Sequence, residues 1–381
     1  MTTSMAMERP RVTQVKAIQL ANEIFGLEVD LNSKKSAKEL DSYDDKNFYL
    51  SGVKDGKPGE FLLKVYNQCY DELDLVDAVH KLIFCLVDAG IACPVPQKTL
   101  AGNYLEVRNL PSTPSNDQAK RIKLDDNLRP CIVCLFTFLP GKTMQDFKKN
   151  GHTFKYQFFL QLGQAVGNVA NALKDLNCPV LTKREYRWDL YYFDTMLSGL
   201  DFISSKQKEL VKDVENLFKR FVKPRLDVLP KQCIHGDITC GNVIIRKNPD
   251  SEKLEVSGFI DFGDVNYSCR VFEIAIAAAY MMNVAEDDII KVGAYTVAGF
   301  HEICPLSQEE SDVIFYCIQA RLCMSGCFGA ESCETHPDNA EYFLCDARRV
   351  WRVLEALASI DKHKFDKMWR ELYNSVQKKQ F

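Results

Sequence analysis

The sequence predicts an α+β fold in two lobes, with an antiparallel sheet in the N-terminal lobe and a mainly helical C-terminal lobe. Three observations lead there. Short β-like runs punctuated by Gly and Pro crowd the chain up to about Thr137, with a strongly amphipathic helix among them. Leu139-Pro140-Gly141 then breaks an apolar strand. Beyond it, apolar residues recur at helical spacing almost to the end, interrupted by a hairpin pattern. The expected boundaries are residues 1–136 for the first lobe, 137–141 for a hinge and 142–381 for the second.

Taken in order, VTQVKAIQLANEIF puts Val12, Val15, Ile18, Leu20 and Ile24 near one helical face, and Gly26 stops the helix. SYDDKNFYLSGV and EFLLKVY are strands joined across the turn KDGKPG. DELDLVDAVHKLIFCLVDAG is an amphipathic helix with Leu75, Val76, Val79, Leu82, Ile83 and Leu86 on one face. Its first turn is acidic, as the helix dipole favours, and Gly90 ends it. CPVPQKTL and NYLEVRNL read as short strands, PSTPSNDQAKRIKLDDNLRP as an exposed loop and CIVCLFTF as an apolar strand. Residues 143–228 read as mostly helical, NVIIRK and LEVSGFIDFGD as a hairpin about NPDSEK, and the chain from Val271 as helical again.

Composition narrows the function. The 381 residues are 46% hydrophobic and carry a net charge of −4, enough apolar content for a large core and no strong positive field to draw nucleic acid. The 15 cysteines are odd in number, and many sit in apolar context, as reduced core thiols do. Cys317, Cys323, Cys327 and Cys333 lack the C-x-x-C spacing of a zinc site and read as packing. MTTSMAMERPRVTQ has no apolar core of a secretory signal. The apolar run Ile274–Met282 falls short of the ~20 residues of a membrane span. The expectation is a cytoplasmic protein with no nucleic-acid, membrane or protein partner.

The chemistry concentrates in CIHGDITCGNVII, residues 233–245, where Asp237 and Asn242 interrupt apolar sequence between glycines. The later hairpin returns with IDFGD, carrying Asp261 and Asp264. Phosphoryl transfer needs such a set: one carboxylate to orient the acceptor hydroxyl, and a second carboxylate with an amide oxygen to hold Mg2+ against the phosphates. The paired strands bring Asn242 and Asp261 to the same end of the hairpin. Asp-x-x-x-x-Asn followed by Asp-Phe-Gly matches the catalytic and metal loops of protein kinases. The glycine-rich loop and A-P-E segment of protein kinases are missing. His235 is read as bracing the loop, since the carboxylate beside it is better placed to act.

The form HGDITCGN with IDFGD behind it resembles the aminoglycoside phosphotransferase and choline kinase-like group of small-molecule kinases. SYDDKNFYL, EFLLKVY, CLFTFLPGKTM and IDFGDVNYSCRVFEIA extend the resemblance over most of the chain. It implies a two-lobed protein-kinase-like fold, a nucleotide-binding first lobe, and transfer of the γ-phosphoryl of a Mg-nucleotide, GTP or ATP, to a small amino-acid or amino-alcohol substrate. Within the group, the resemblance carried by SYDDKNF, LFTFLPGK and VSGFIDFGD implies the hydroxyl of 5-hydroxy-L-lysine as acceptor and GTP as donor. Choline, ethanolamine, homoserine and methylthioribose remain alternatives, as does a nucleotide-binding pseudokinase.

On that pattern Asp237 is the catalytic residue, and Asn242 and Asp261 hold the metal. Lys64 in EFLLKVY sits where the phosphate-binding strand lysine belongs, among apolar neighbours that make an unpaired charge costly. Its acid partner is assigned to Asp77, with Glu72 also in reach. Asn47 in the polar turn takes the place of a glycine-rich loop. The Thr137 carbonyl and Leu139 N–H, ahead of Pro140, are placed to meet a purine edge. An amino-acid substrate needs acids for its amines and a cation for its carboxylate; the candidates are Asp264, Trp188, Asp189, Glu273 and Arg321. Glu273, alone in an apolar helix, fits a brace for the catalytic loop better than a substrate contact.

Overall fold

The computed structural model describes residues 10–30, 35–40, 42, 45–67, 73–111, 128–286, 288–335 and 340–378, the side chains of 340–348 excepted. The chain divides into two compact units, one comprising Met1–Phe84 and Cys93–Pro140, the other Cys85–Ala92 and Gly141–Phe381.

The first unit opens with α1 (Gln14–Phe25), capped by the Thr13 hydroxyl and closed by Gly26 at φ 66°. Its buried face is Ala17, Leu20, Ala21 and Ile24, while Val15 is 76% exposed. The alanines, not Val15, set the face. The strands are β1 (Glu28–Val29), β2 (Ala37–Leu40), β3 (Lys46–Lys54) and β4 (Lys57–Val65), followed after α2 (Leu73–Asp88) by β5 (Glu106–Pro111) and β6 (Leu128–Thr137). They form one antiparallel sheet in the order β1-β3-β4-β6-β5, with β2 also paired to β3. Asp55 and Gly56, at φ 53° and 73°, make a two-residue turn that sets the β3–β4 register, Lys54 opposite Lys57 and hence Asn47 opposite Lys64. Alternate residues Phe48, Leu50, Leu63, Val65, Cys131, Val133 and Leu135 pack with α1 in one core. CPVPQKTL is not a strand: its prolines offer no N–H to a ladder, and it keeps one isolated bridge, Pro96 to Phe136. The loop expected at 111–130 falls mostly on residues 112–127, and Glu72 likewise lies outside the described residues.

The second unit is built mostly of helices around two small sheets. In order come β7 (Lys142–Thr143), α3 (Met144–Lys149), α4 (Tyr156–Leu173), α5 (Pro179–Thr182), a 3-10 segment Leu190–Phe202 and α6 (Ser205–Leu217). Then follow β8 (Lys231–Ile234), β9 (Val243–Lys247), β10 (Leu254–Phe259), β11 (Asn266–Cys269), α7 (Arg270–Val284), α8 (Ile289–Ile303), α9 (Gln308–Thr335), α10 (Ala340–Ala358) and α11 (Lys362–Gln377). One sheet is β10-β9-β7 and the other β11-β8; β11 was not legible as a strand in NYSC. Helices α4 and α8 touch backbone to backbone. A Cβ on Gly163 would lie 2.0 Å from the Thr296 carbonyl oxygen, and one on Gly299 2.0 Å from that of Leu160. Among the described residues α9 alone is long and apolar enough to cross a membrane, and 83% of its apolar window is buried inside the protein. Cys317, Cys323 and Cys327 lie in that buried helix, which accounts for its thiols by packing.

Candidate active site

The loop between β8 and β9 is held from below by Glu273 of α7. Glu273 is fully buried, and its carboxylate accepts the N–H groups of His235 (2.6 Å) and Gly236 (3.1 Å). Burial pushes its carboxyl up to about 7, against the pull of the two N–H donors and Arg321. Gly236 stands at φ 78°, and a Cβ there would lie 2.8 Å from the Asp264 carbonyl oxygen, so glycine is required on both counts. His235 Nδ1 accepts the Asp237 N–H (3.3 Å), which leaves Nε2 to donate to the Ile260 carbonyl (3.1 Å). That is a neutral imidazole, and burial lowers it to about 4. His235 therefore ties the loop to the strand end at Ile260, as a brace.

The loop presents Asp237 and Asn242 together. Asn242 Nδ2 donates to both the carbonyl (2.9 Å) and the Oδ2 (2.8 Å) of Asp237, which fixes the amide the right way round. Asn242 Oδ1 is left as an acceptor with no hydrogen bond among the described residues. The β9–β10 hairpin pairs Val243 with Phe259, and the Ile260 N–H donates to the Asn242 carbonyl at 3.0 Å. The next residue is Asp261, exposed and in left-handed backbone at φ 62°. The sharp turn there is of the strained kind that functional loops retain. An amide oxygen and a carboxylate at the same end of one hairpin are hard oxygen donors that fit magnesium.

Arg184 fixes the rest of the IDFGD loop by donating to the carbonyls of Gly263 (3.0 Å) and Val265. Tyr186 donates its hydroxyl to Asp264 Oδ1 at 2.6 Å. Asp264 is half-buried, burial raises its pKa, and it makes no ion pair among the described residues.

In the first unit, Lys64 Nζ lies 3.0 Å from Asp45 Oδ2, with the two side chains 13% and 20% exposed. The other Asp45 oxygen accepts the Asn67 N–H at 2.9 Å. Among the described residues Asp45 is the acid paired with Lys64; Asp77 sits exposed on α2 and shows no ion pair with Lys64 there, while Glu72, the other acid expected in reach, lies outside the described residues. Helix α2 turns Val76 and Val79 inward. Asn47 stands opposite Lys64 on β3, its Oδ1 buried and without a hydrogen-bond partner among the described residues. Thr137 is pinned to Val95 through both its N–H and its hydroxyl, each bond 2.9 Å. The Leu139 N–H makes no hydrogen bond among the described residues.

The remaining substrate candidates separate. Asp189, 5% exposed, accepts the Ser268 hydroxyl (2.7 Å) and caps the 3-10 segment through the Tyr191 N–H (3.0 Å), so it is structural. Glu273 is engaged as described. Arg321 is 1% exposed and directed at Asp237, not at solvent, so it cannot meet a substrate carboxylate. Trp188 is half-buried over Arg321, whose guanidinium lies 5.0 Å from its ring, and Lys231 covers Tyr191 at 5.0 Å. Both rings thus already carry protein cations. Asp45, Arg184 and Tyr186 were missed in the sequence. Only Asp45 had a readable signal, the strand register.

Known proteins resemble this chain in sequence and in fold. A model of the phosphotransferase enzyme family (APH) matches residues 36–306. The chain is 26% identical over 379 residues to hydroxylysine kinase of Xenopus laevis, covering 96% of this chain and 95% of that one. It is 27% identical over 387 residues to hydroxylysine kinase of Bos taurus, covering 98% and 96%. Among solved structures, an amicoumacin kinase in complex with AMP-PNP, Ca2+ and Ami superposes with a TM-score of 0.62 at 14% identity, covering 93% and 97% of the two chains. The GDP complex of an aminoglycoside 2'-phosphotransferase-IIIa mutant gives 0.55 at 11%, covering 91% and 98%.

Proposed function

The chain belongs to the phosphotransferase enzyme family and acts on an alcohol group of a small molecule, and within that family we propose that it phosphorylates the side-chain hydroxyl of 5-hydroxy-L-lysine, with GTP as donor. End-to-end likeness to hydroxylysine kinases carries the choice of acceptor.

In the second unit, Asp237 accepts a hydrogen bond from the substrate hydroxyl and orients its oxygen for in-line attack, then receives the proton as the new bond to the γ-phosphorus forms and the bond from that phosphorus to the β–γ bridging oxygen breaks, releasing the nucleoside diphosphate. Asn242 Oδ1 and the Asp261 carboxylate would hold Mg2+. The ion would supply charge neutralisation to the nucleotide phosphates. In the first unit, Lys64 binds a phosphate oxygen, and Asp45 at 3.0 Å holds its ammonium ready. Asn47, beside it in the register, contributes polar contact on the nucleotide side. The Thr137 carbonyl and Leu139 N–H meet the purine edge through backbone. Catalysis then rests on positioning and charge stabilisation, as in this reaction class generally.

For the acceptor, Asp264 takes a substrate ammonium: it is half-buried and makes no close ion pair among the described residues, although the charges of Arg321 and Arg184 reach it. Trp188 lines the aliphatic chain. The aromatic faces that would make a choline cage already carry Arg321 and Lys231, which favours a primary amine over a quaternary one.

The test is steady-state phosphoryl transfer by purified protein with Mg2+, GTP or ATP, and 5-hydroxy-L-lysine, lysine, choline, ethanolamine or homoserine. Turnover on hydroxylysine and none on lysine, greatly reduced but still measurable in Asp237→Asn, is the expected result. Turnover confined to another alcohol would keep the mechanism and reject the acceptor. ATP turned over faster than GTP would reject the donor.

A further inference from the structure

Arg321 has no part in the chemistry assigned so far, yet it is built against it. It lies in α9, 1% exposed. One terminal nitrogen donates to the Trp188 carbonyl at 2.8 Å and the other to Asp237 Oδ1 at 3.0 Å. Its planar group lies 5.0 Å from the Trp188 ring and 5.5 Å from that of Tyr280. Its Nε is buried and donates to nothing among the described residues. A guanidinium placed this deep is costly unless a charge answers it, and the carboxylate it contacts is Asp237.

The consequence falls on Asp237. Its Oδ1 is held by Arg321 from α9 and its Oδ2 by Asn242 Nδ2 from the loop. Two donors on separate elements remove the rotation that a lone carboxylate would keep. The same contact settles the Asn242 amide, because Nδ2 turned to Asp237 turns Oδ1 the other way. The nearby Asp264 has a tyrosine hydroxyl where Asp237 has a cation. Of the two carboxylates, only Asp237 is gripped directly by the guanidinium. We infer that Arg321 is a positioning residue for phosphoryl transfer, holding Asp237, and through Asp237 the Asn242 amide, in the orientation that offers oxygens to the acceptor hydroxyl and to the metal. This rests on Asp237 as the acceptor-orienting group.

The experiment is a double-mutant cycle of Arg321→Met and Asp237→Asn in the full chain. It reads kcat, the KM for nucleotide and for acceptor, and the magnesium concentration for half-maximal rate. Arg321→Met is expected to lower kcat roughly 10- to 100-fold, with both KM values within about 3-fold and a raised magnesium requirement. In the Asp237→Asn background the same substitution is expected to change kcat by less than about 3-fold, since its target is gone. Arg321→Lys keeps the charge but cannot bridge Trp188 and Asp237 together, and should recover part of the loss. Thermal melting checks the fold, and if Arg321→Met does not fold, Arg321→Lys takes its place in the cycle. An equal penalty in both backgrounds would overturn the inference, as would a rise confined to the acceptor KM. Wild-type kcat in Asp237→Asn alone would instead remove the premise about Asp237.

Discussion

His80 offers a direct test of how burial sets charge in the first unit. It sits on α2, 2% exposed, with neither ring nitrogen hydrogen-bonded among the described residues, and packs edge-on to Tyr104 and Phe136 at 6.2 and 5.6 Å. Burial lowers its pKa from 6.5 to about 4, opposed by the charge of Asp77. The unfolded chain takes up the proton as pH falls through 6.5, while the folded chain refuses it until near 4. His80 therefore costs no pH-dependent stability above 6.5 and an increasing amount below. The loss reaches about 2 kcal/mol at pH 5 and about 3.4 kcal/mol once both states are protonated. His235 is lowered to about 4 as well and adds in the same direction. Glu273, raised to about 7, works against them, giving stability back as pH falls from 7 to 4.5. The difference between wild type and His80→Leu cancels both and isolates His80. Urea unfolding of the two proteins at pH 7.5 and pH 5 measures it. The variant is expected to lose about 2 kcal/mol less than wild type over that interval. It should also gain stability at pH 7.5, because two unpartnered buried nitrogens are gone. Parallel losses in the two proteins would refute the account.

Three further outcomes follow from single contacts. Glu273→Ala leaves the N–H groups of His235 and Gly236 without their acceptor, which should cost about 3 kcal/mol or more and lower the melting temperature by roughly 4 °C or more; scanning fluorimetry measures it, and a shift under about 2 °C would mean the loop is held otherwise. Asp45→Asn removes the charge beside Lys64 but can still accept the Asn67 N–H, so the nucleotide KM should rise about tenfold, whereas Asp77→Asn should leave it within about twofold; the reverse order would restore Asp77 as the partner. Gly299→Ala drives a methyl into the Leu160 carbonyl across the α4–α8 contact, and denaturant unfolding should show a loss of about 1–3 kcal/mol.

The parts of the fold and site written in local pattern could be read from the sequence. The turn residues Asp55 and Gly56, the strand alternation of EFLLKVY and the Gly26 stop each depend on neighbours within a few positions, and each element stands where the pattern put it. HGDITCGN and IDFGD also sit in one hairpin, so pairing of β9 with β10 was enough to bring Asn242 beside Ile260 and Asp261. CPVPQKTL failed for a local reason as well, since its apolar residues suggested a strand that its prolines could not ladder. Val15 was counted as core from spacing alone, although small alanines can bring a helix closer to a sheet than a valine face would.

Asp45 shows a signal that was present and went unused. The Asp55-Gly56 turn fixes Lys54 opposite Lys57, and stepping back along both strands places Asn47 opposite Lys64. Asp45 immediately precedes the first residue of β3, two residues before Asn47. The hairpin therefore brings Asp45 near Lys64, where the two pair, while the search looked on the helix. Arg321 is the opposite case. Its partner Asp237 is 84 residues away, so no local period links them. What the sequence did contain was a lone cation inside the apolar run FYCIQARLCMSGCF. Such a charge must be answered by a buried acid or by a ligand, and sequence alone could not choose between them. Packing decides it: α9 is buried along most of its length, so the guanidinium cannot reach solvent and must end on the protein's own carboxylate. The same packing gives Asp237 a donor on a rigid core helix as well as one on its own loop. A perturbation of the α9 core near Arg321 should therefore reach kcat before it reaches nucleotide affinity.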